Sequence, residues 1–153
     1  MKINIIIVDK RSKETLYSPL IEHYKKMIKR FAEVEVIEVF DKNIAKAHEA
    51  SATEAQKSYS IALAGYLKSG YNIALDPESR AVDSHQFADL MRDETTLNFF
   101  IGGAYGFEKS FLSSCQKRVS LGAITMSHKL VKVVLMEQIF RGFSIINNHP
   151  YHK

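Results

Sequence analysis

Thr96-Leu97-Asn98-Phe99-Phe100-Ile101 runs directly into Gly102-Gly103-Ala104-Tyr105-Gly106. A short apolar run that stops at a glycine turn marks a strand covered on both faces, ending at a loop. A shorter copy of the pattern follows. Arg118 to Leu121 leads into Gly122-Ala123-Ile124-Thr125-Met126-Ser127, and helical spacing begins near His128. Two such units within one third of a chain point to a parallel sheet with its loops gathered at the strand ends.

Working outward from this stretch, strand and helix alternate. Ile3 to Val8 is a continuous β-branched run and reads as a buried strand. Leu16, Leu20, Ile21, Tyr24, Ile28 and Phe31 recur at helical spacing, which predicts an amphipathic helix from Ser12 to Ala32. Glu33 to Phe40 reads as a strand with Val34, Val36 and Val39 inward. The Ala-, Glu- and Lys-rich segment from Asn43 to Ser69 reads as one long helix with Gly70 as its C-terminal cap. Tyr71 to Leu75 is a third strand, and Asp83 or Ser84 caps a helix carrying Phe87, Leu90 and Met91. Thr96 to Ile101 is the fourth strand, Phe107 to Gln116 a short helix, and Arg118 to Leu121 the fifth strand. A last helix spans His128 to Phe143, with Val131, Val134, Leu135 and Ile139 as its apolar stripe. The expectation is a single domain over residues 1–153, an α/β sandwich with a largely parallel five-stranded sheet. Ligands in such sheets bind at the carboxyl ends of the strands, so the loops after Leu75, Ile101 and Leu121 are the candidate site.

Length and composition agree. A chain of 153 residues is one domain and buries enough surface to need no staple. Its one cysteine, Cys115, cannot build a disulfide framework, fits a reducing cytosol, and carries no mark of a nucleophile. No apolar run reaches membrane-spanning length, so no membrane association is expected. Met1 to Val8 is too short for a secretion signal, and Asp9-Lys10-Arg11 stands where a cleavage site would be. The net charge of +4 is concentrated at both ends of the chain: Lys10, Arg11, Lys13, Lys25, Lys26, Lys29 and Arg30, then Lys117, Arg118, Lys129, Lys132, Arg141 and Lys153. If the ends meet, they form a basic face suited to a phosphate backbone. Charge alone favours ordinary solvated helix faces.

Other motifs are excluded. Gly102-Gly103-x-x-Gly106 is not the dinucleotide fingerprint, and no acid follows about 20 residues on. No P-loop exists in the chain. Taken singly, each glycine loop is explained by a tight turn. His128, His149 and His152 have no cysteine pair and no nearby acid, so polar contact with substrate is expected of them rather than a metal site.

Four segments together resemble one family. They are Ile101 to Gly106, Ser120 to His128, the pattern Val133-Leu135-Glu137-Gln138-Arg141, and the ending Asn148-His149-Pro150-Tyr151-His152. They are similar to the RlmH family, small SPOUT-class methyltransferases that modify a pseudouridine of large-subunit ribosomal RNA. The resemblance extends over the whole chain. It implies a C-terminal trefoil knot, a feature nearly absent from other folds. It implies S-adenosylmethionine as cofactor, held in bent form at Leu75, Gly103 and Gly122, Ala123, Ile124, Thr125, Met126 and Ser127. It implies a cytoplasmic homodimer whose sites border both chains, acting on N3 of a pseudouridine in 23S ribosomal RNA of the assembled ribosome. The N3 proton must leave, so Tyr151 or His152 is expected as its acceptor, with Arg141 steadying charge or a phosphate. His128, His149 and Tyr151 are expected to contact the substrate, with the tail folded over the cofactor pocket.

The chain departs from the family in three places. Ser79-Arg80 replaces Gly-Lys, Ser127 replaces a proline before the histidine, and Ala104-Tyr105 replaces Pro-Glu or Ser-Leu. The rival readings are a methyltransferase of the same fold acting on another RNA such as tRNA, a ribosome-associated RNA-binding protein without catalysis, and a nucleotide-binding regulatory domain.

Overall fold

The computed structural model describes residues 1–11 and 15–153. Ser12, where the first helix was expected to begin, and Lys13 of the basic cluster lie outside the described residues. The described residues form one five-stranded sheet in the order β2-β1-β4-β3-β5, and every pairing is parallel. The strands are β1 (Lys2–Val8), β2 (Glu33–Val39), β3 (Tyr71–Leu75), β4 (Thr96–Ile101) and β5 (Lys117–Val119). The expected α/β architecture is therefore present.

Side-chain alternation sorts the core onto two faces. Ile3, Ile5, Ile7, Leu97, Phe99, Ile101, Ile73 and Leu75 point to one face. There they meet α1 (Ser18–Ile28), α4 (Ser84–Leu90) and α6 (His128–Ile146). Ile6, Val8 and Phe100 point to the other. They meet α2 (Lys42–Ala50), α3 (Ala52–Leu63) and α5 (Lys109–Ser113).

On this second face the amino-terminal half of the sheet is polar. Asn4, Asn98 and Asn72 stand in register on β1, β4 and β3. The Asn4 amide donates to Asn98 Oδ1 at 2.8 Å, and Asn98 Nδ2 donates to Asn72 Oδ1 at 2.9 Å. The same Asn98 amide reaches the carbonyls of Ser69 at 2.6 Å and Tyr66 at 3.3 Å, while Asn72 Nδ2 reaches that of Leu67 at 3.1 Å. The ladder thus satisfies the carbonyls of the 3-10 turn at Ala64–Lys68 and its exit, which would otherwise be stranded. Gly70 leaves that turn at φ +80°, and a Cβ there would come within 3.0 Å of Asn98 Nδ2 and 3.1 Å of the Thr96 carbonyl.

Several expected boundaries change. The long helix from Asn43 to Ser69 is two helices and a 3-10 turn. Ser51 is fully extended, and its side chain accepts from the Glu54 amide, so it stops α2 and caps α3. Gly70 therefore turns the chain after the 3-10 segment and does not cap an α-helix. β5 ends at Val119, because Ser120 instead bridges to Ala81 in the loop after β3. The last helix continues to Ile146. Its buried arc is wider than the expected stripe: Leu135 and Ile139 are core, as are Met136, Phe140 and Phe143, while Val131 and Val134 are half-buried. Lys132 is buried as well, and so is lost from the expected basic face.

Asn98→Ala tests the ladder. It removes the partner of the part-buried Ser69 carbonyl and Asn4 amide and of the fully buried Asn72 Oδ1, a buried orphan costing roughly 1–3 kcal/mol. A loss of about 3 kcal/mol is expected in urea denaturation, with β1, β3 and β4 retained on circular dichroism of the folded variant.

Candidate functional site

The carboxyl ends of β3, β4 and β5 open into a cavity of about 330 Å³, within the range of small-molecule sites. Leu75, Ile101, Val119, Leu121, Ile124, Met126 and Val131 supply apolar walls, and Gly102, Gly103, Gly106 and Gly122 expose backbone between them. Each loop is locally determined. Gly122 sits at φ +140°, a conformation that disfavours any side chain, and Ser120 holds it there. The Ser120 hydroxyl accepts from the Gly122 amide at 3.1 Å and donates to the Gly122 carbonyl at 2.8 Å. Gly103 is glycine for a packing reason: a Cβ would approach Tyr59 Oη to 2.9 Å and Val8 Cγ1 to 3.2 Å.

Local hydrogen bonds hold the segments that depart from the family pattern. In the loop after β3, Asp76 accepts from the Ser79 hydroxyl at 2.7 Å and from the Glu78 amide at 3.2 Å. Ser127 Oγ accepts from the Leu130 amide at 3.3 Å and so caps α6, which a proline could not do. The Tyr105 carbonyl accepts from Gln56 Nε2 at 2.7 Å, tying the glycine turn to α3.

A charged latch fixes the start of α6. Asp9, where β1 ends, meets Lys129 Nζ at 2.7 Å and His128 Nε2 at 3.1 Å. Burial pushes the Asp9 carboxyl up, but the hydrogen bonds from Lys129 and His128 and the positive charge of Lys129 outweigh it and hold the group below its ordinary value. Behind the latch lies a second cavity of about 320 Å³, between β1, α2 and the glycine turn. It shares Gly103, Ala104 and His128 with the first.

The tail residues form a separate cluster. Arg141 Nη2 pairs with Glu137 Oε1 at 2.7 Å and Nη1 lies 3.2 Å from His152 Nδ1. The Tyr151 hydroxyl donates to Glu137 Oε1 at 3.0 Å, and its ring lies under the Arg141 guanidinium at 4.9 Å and against Phe140. The His85 ring meets that of His152 edge-on at 5.0 Å. The Glu137 carboxylate accepting its hydrogen bonds raises Arg141, while burial, with that same carboxylate, raises Tyr151 and Tyr24. His149 Nδ1 accepts from the Tyr151 amide at 3.3 Å, and the His149 amide donates to the Ser144 carbonyl at 2.8 Å. The tail is therefore folded onto α6.

The structure thus divides the expected site residues into two groups. Leu75, Gly103, Gly122, Ile124, Thr125, Met126, Ser127 and His128 line the first cavity; Ala123 does not. Arg141, His149, Tyr151 and His152 do not line it either. The tail was expected over the cofactor pocket of a dimer; within one chain it packs beside Glu137 and Arg141, roughly 14–20 Å along α6 from His128 at 1.5 Å per residue. Sequence reasoning missed Asp9, Ser120, Tyr24 and His85. The first pairs across 120 positions, and the others carry no local signal. Cys115 is half-buried, shares its thiol proton with the Phe111 carbonyl, and is pushed up to about 11 by burial, so it is no nucleophile.

Comparison with known proteins concerns the chain as a whole. A family model described as a predicted SPOUT methyltransferase matches residues 1–152. A protein of Sulfurovum sp. strain NBC37-1 named ribosomal RNA large subunit methyltransferase H is 67% identical over 153 residues, covering 100% of both chains. Proteins of the same name from Wolinella succinogenes and Aliarcobacter butzleri are 48% and 47% identical, again over 100% of both chains. Among solved structures, a probable methylase family protein from Haemophilus influenzae Rd KW20 superposes with a TM-score of 0.56 at 14% identity. The match covers 99% of this chain and 70% of that one. A putative RNA methyltransferase from Bacillus anthracis gives 0.51 at 11% identity, covering 99% and 98%. These two likenesses concern the fold alone.

The latch carries a pH signature. A carboxyl whose folded pKa lies below its unfolded value of about 3.9 stabilises the fold above that value. The contribution disappears as pH falls through the folded value. Asp9→Asn should therefore melt below the wild type from neutral pH down to about pH 5, and the gap should close below about pH 4. Parallel melting curves across that range would place the stabilisation elsewhere.

Proposed function

The chain belongs to the SPOUT methyltransferase family, matched over residues 1–152, and from that membership we propose that it methylates N3 of a pseudouridine in 23S ribosomal RNA of the assembled, cytoplasmic ribosome, with S-adenosylmethionine as donor. The observation that carries the reading is the cavity at the ends of β3, β4 and β5, walled by aliphatic side chains and by exposed glycine backbone. Adenine needs this combination, apolar faces with hydrogen-bonding edges. Leu75, Gly103 and the loop 122–127 would hold the cofactor, whose sulfonium supplies a methyl group attached to a good leaving group. The chain's own residues supply position and a dry wall. Ser120 keeps the loop in shape, and the Asp9 latch anchors His128 at its edge. Among the described residues no helix is long and apolar enough to cross a membrane.

The knot belongs to the same proposal. Ser120 donates to the Arg80 carbonyl at 3.1 Å and accepts from the Val82 amide at 3.2 Å. These bonds mark where the segment leading to loop 122–127 would pass beneath loop 76–82.

The distance between pocket and tail argues for a homodimer. Leu130, Val134, Glu137, Gln138 and Arg141 follow one helical stripe of α6. Leu130 is exposed on that stripe, and Ile124 is 81% exposed at the pocket mouth. A two-fold interface that crosses α6 of one protomer antiparallel over α6 of the other would cover this patch. It would also bring the Arg141 end of each helix to the His128 end of its mate. Arg141, Tyr151, His152 and His149 would then act on the partner's pocket, positioning the target nucleotide and its phosphates, with Lys10 and Arg11 continuing the basic surface. The chain would use its own cluster of Glu137, Tyr24 and His85 to hold the tail in place for that partner.

The decisive experiment supplies labelled S-adenosylmethionine and this protein to ribosomes from a strain lacking its own such enzyme, then maps the labelled nucleotide. Label confined to tRNA, or no label, would overturn the reading. Deleting residues 151–153 should leave the melt nearly unchanged and lower single-turnover methylation by on the order of 10²-fold or more. Gly122→Val should be inactive through the cofactor loop. Mixing the two inactive variants should restore activity, because one of the two sites in a mixed dimer receives an intact pocket and an intact tail. Failure of the mixture, with subunit exchange demonstrated, would place tail and pocket in the same chain.

A further inference from the structure

The second cavity has no role in the reading above. Val8, Phe40 and Ala45 give it apolar walls, and Lys10, His48 and Glu49 give it polar groups. The two rings are fixed. His48 Nε2 lies 2.6 Å from the hydroxyl of fully buried Tyr59, and its ring meets Phe40 and Tyr105 edge-on at 5.5 and 5.1 Å. The exposed Lys10 Nζ stands 5.2 Å above the Phe40 ring. Flat apolar walls with a cation at the rim suit one unstacked nucleotide: the base between the walls, its phosphate on the lysine.

Position decides which nucleotide. Gly103, Ala104 and His128 form the wall common to both cavities. A methyl acceptor must come within about 3–3.5 Å of its donor, and only a space adjoining the first cavity allows that. His128 Nε2 faces Asp9 Oδ1, and a neutral imidazole that donates from Nε2 carries its lone pair on Nδ1.

Resting on the methyltransferase reading, we propose that the second cavity receives the target pseudouridine, and that His128, oriented by Asp9, accepts its N3 proton. The N3–H proton passes to His128 Nδ1 as the N3–CH3 bond forms. The S–CH3 bond breaks with its electron pair remaining on sulfur, giving neutral S-adenosylhomocysteine, and the imidazolium left behind rests on the Asp9 carboxylate. Asp9 is a positioning residue, and the tail of the partner presents the RNA.

Ala45 is exposed on α2, so Ala45→Phe fills the cavity from outside without touching the core. Its affinity for S-adenosylhomocysteine by calorimetry should match the wild type, and kcat/KM for ribosomes should fall on the order of 10²-fold. His128→Ala should lose about 10²–10⁴-fold in kcat, with part of the loss restored by imidazole in the buffer. Asp9→Asn should lower kcat and leave KM for ribosomes unchanged. Normal turnover by Ala45→Phe overturns the proposal. So does a matching loss of S-adenosylhomocysteine affinity, which would assign the cavity to the cofactor's own tail. A folded His128→Ala that retains its rate, or that imidazole does not help, removes the proton acceptor. An inactive wild type overturns both readings; an active wild type beside these results overturns this one alone.

Discussion

Asn4, Asn98 and Asn72 lie abreast on three neighbouring parallel strands, and much of the architecture follows from their alignment. A slip of one residue would break the ladder and turn every core side chain to the wrong face. With that register held, Val8, Ile101 and Leu75 come to the same edge, and the loops that follow them are gathered there. The polar cost is met at one edge of the sheet, where Asn98 and Asn72 serve the carbonyls of Tyr66, Ser69 and Leu67. The opposite edge is left apolar and open. The ladder and the first cavity are thus two ends of one arrangement of strands.

The strands were legible because their evidence is local: β-branched runs, glycine at their ends and turns between them. The helices were legible in kind and less so in extent. Ser51 lies in an Ala- and Glu-rich segment whose propensity favours one long helix, and only its extended backbone shows that it caps a new one. Residue spacing on α6 suggested a narrow stripe, but α1, α4 and the sheet cover more of its circumference. The loops that line the first cavity were visible as glycine patterns, although the reason for Gly103 was not. The ring of Tyr59, 44 positions earlier, occupies the space a side chain would need. The tail was recognised by resemblance, and its location on α6 depends on Glu137, which accepts from both Arg141 and Tyr151.

At Ser127 one local constraint stands in for another. Where a proline would stiffen the approach to His128, Ser127 caps the helix by its side chain. Lys129 follows, and it reaches back to Asp9. The beginning of α6 is thereby tied to the end of the first strand by charge instead of by a rigid ring. This makes the pocket wall sensitive to acid, and it leaves the His128 imidazole with a fixed partner on one side.

Cys115 has a practical use. Its thiol is half-buried and pushed up to about 11, so at neutral pH it is almost wholly protonated, and the chain has no second cysteine. A cysteine introduced at an exposed position would be the one reactive thiolate in the molecule. A variant with one introduced cysteine therefore suits single-site attachment of a fluorophore or spin label, with Cys115 left in place. The position of a labelled tail could be followed in solution without first removing the native cysteine.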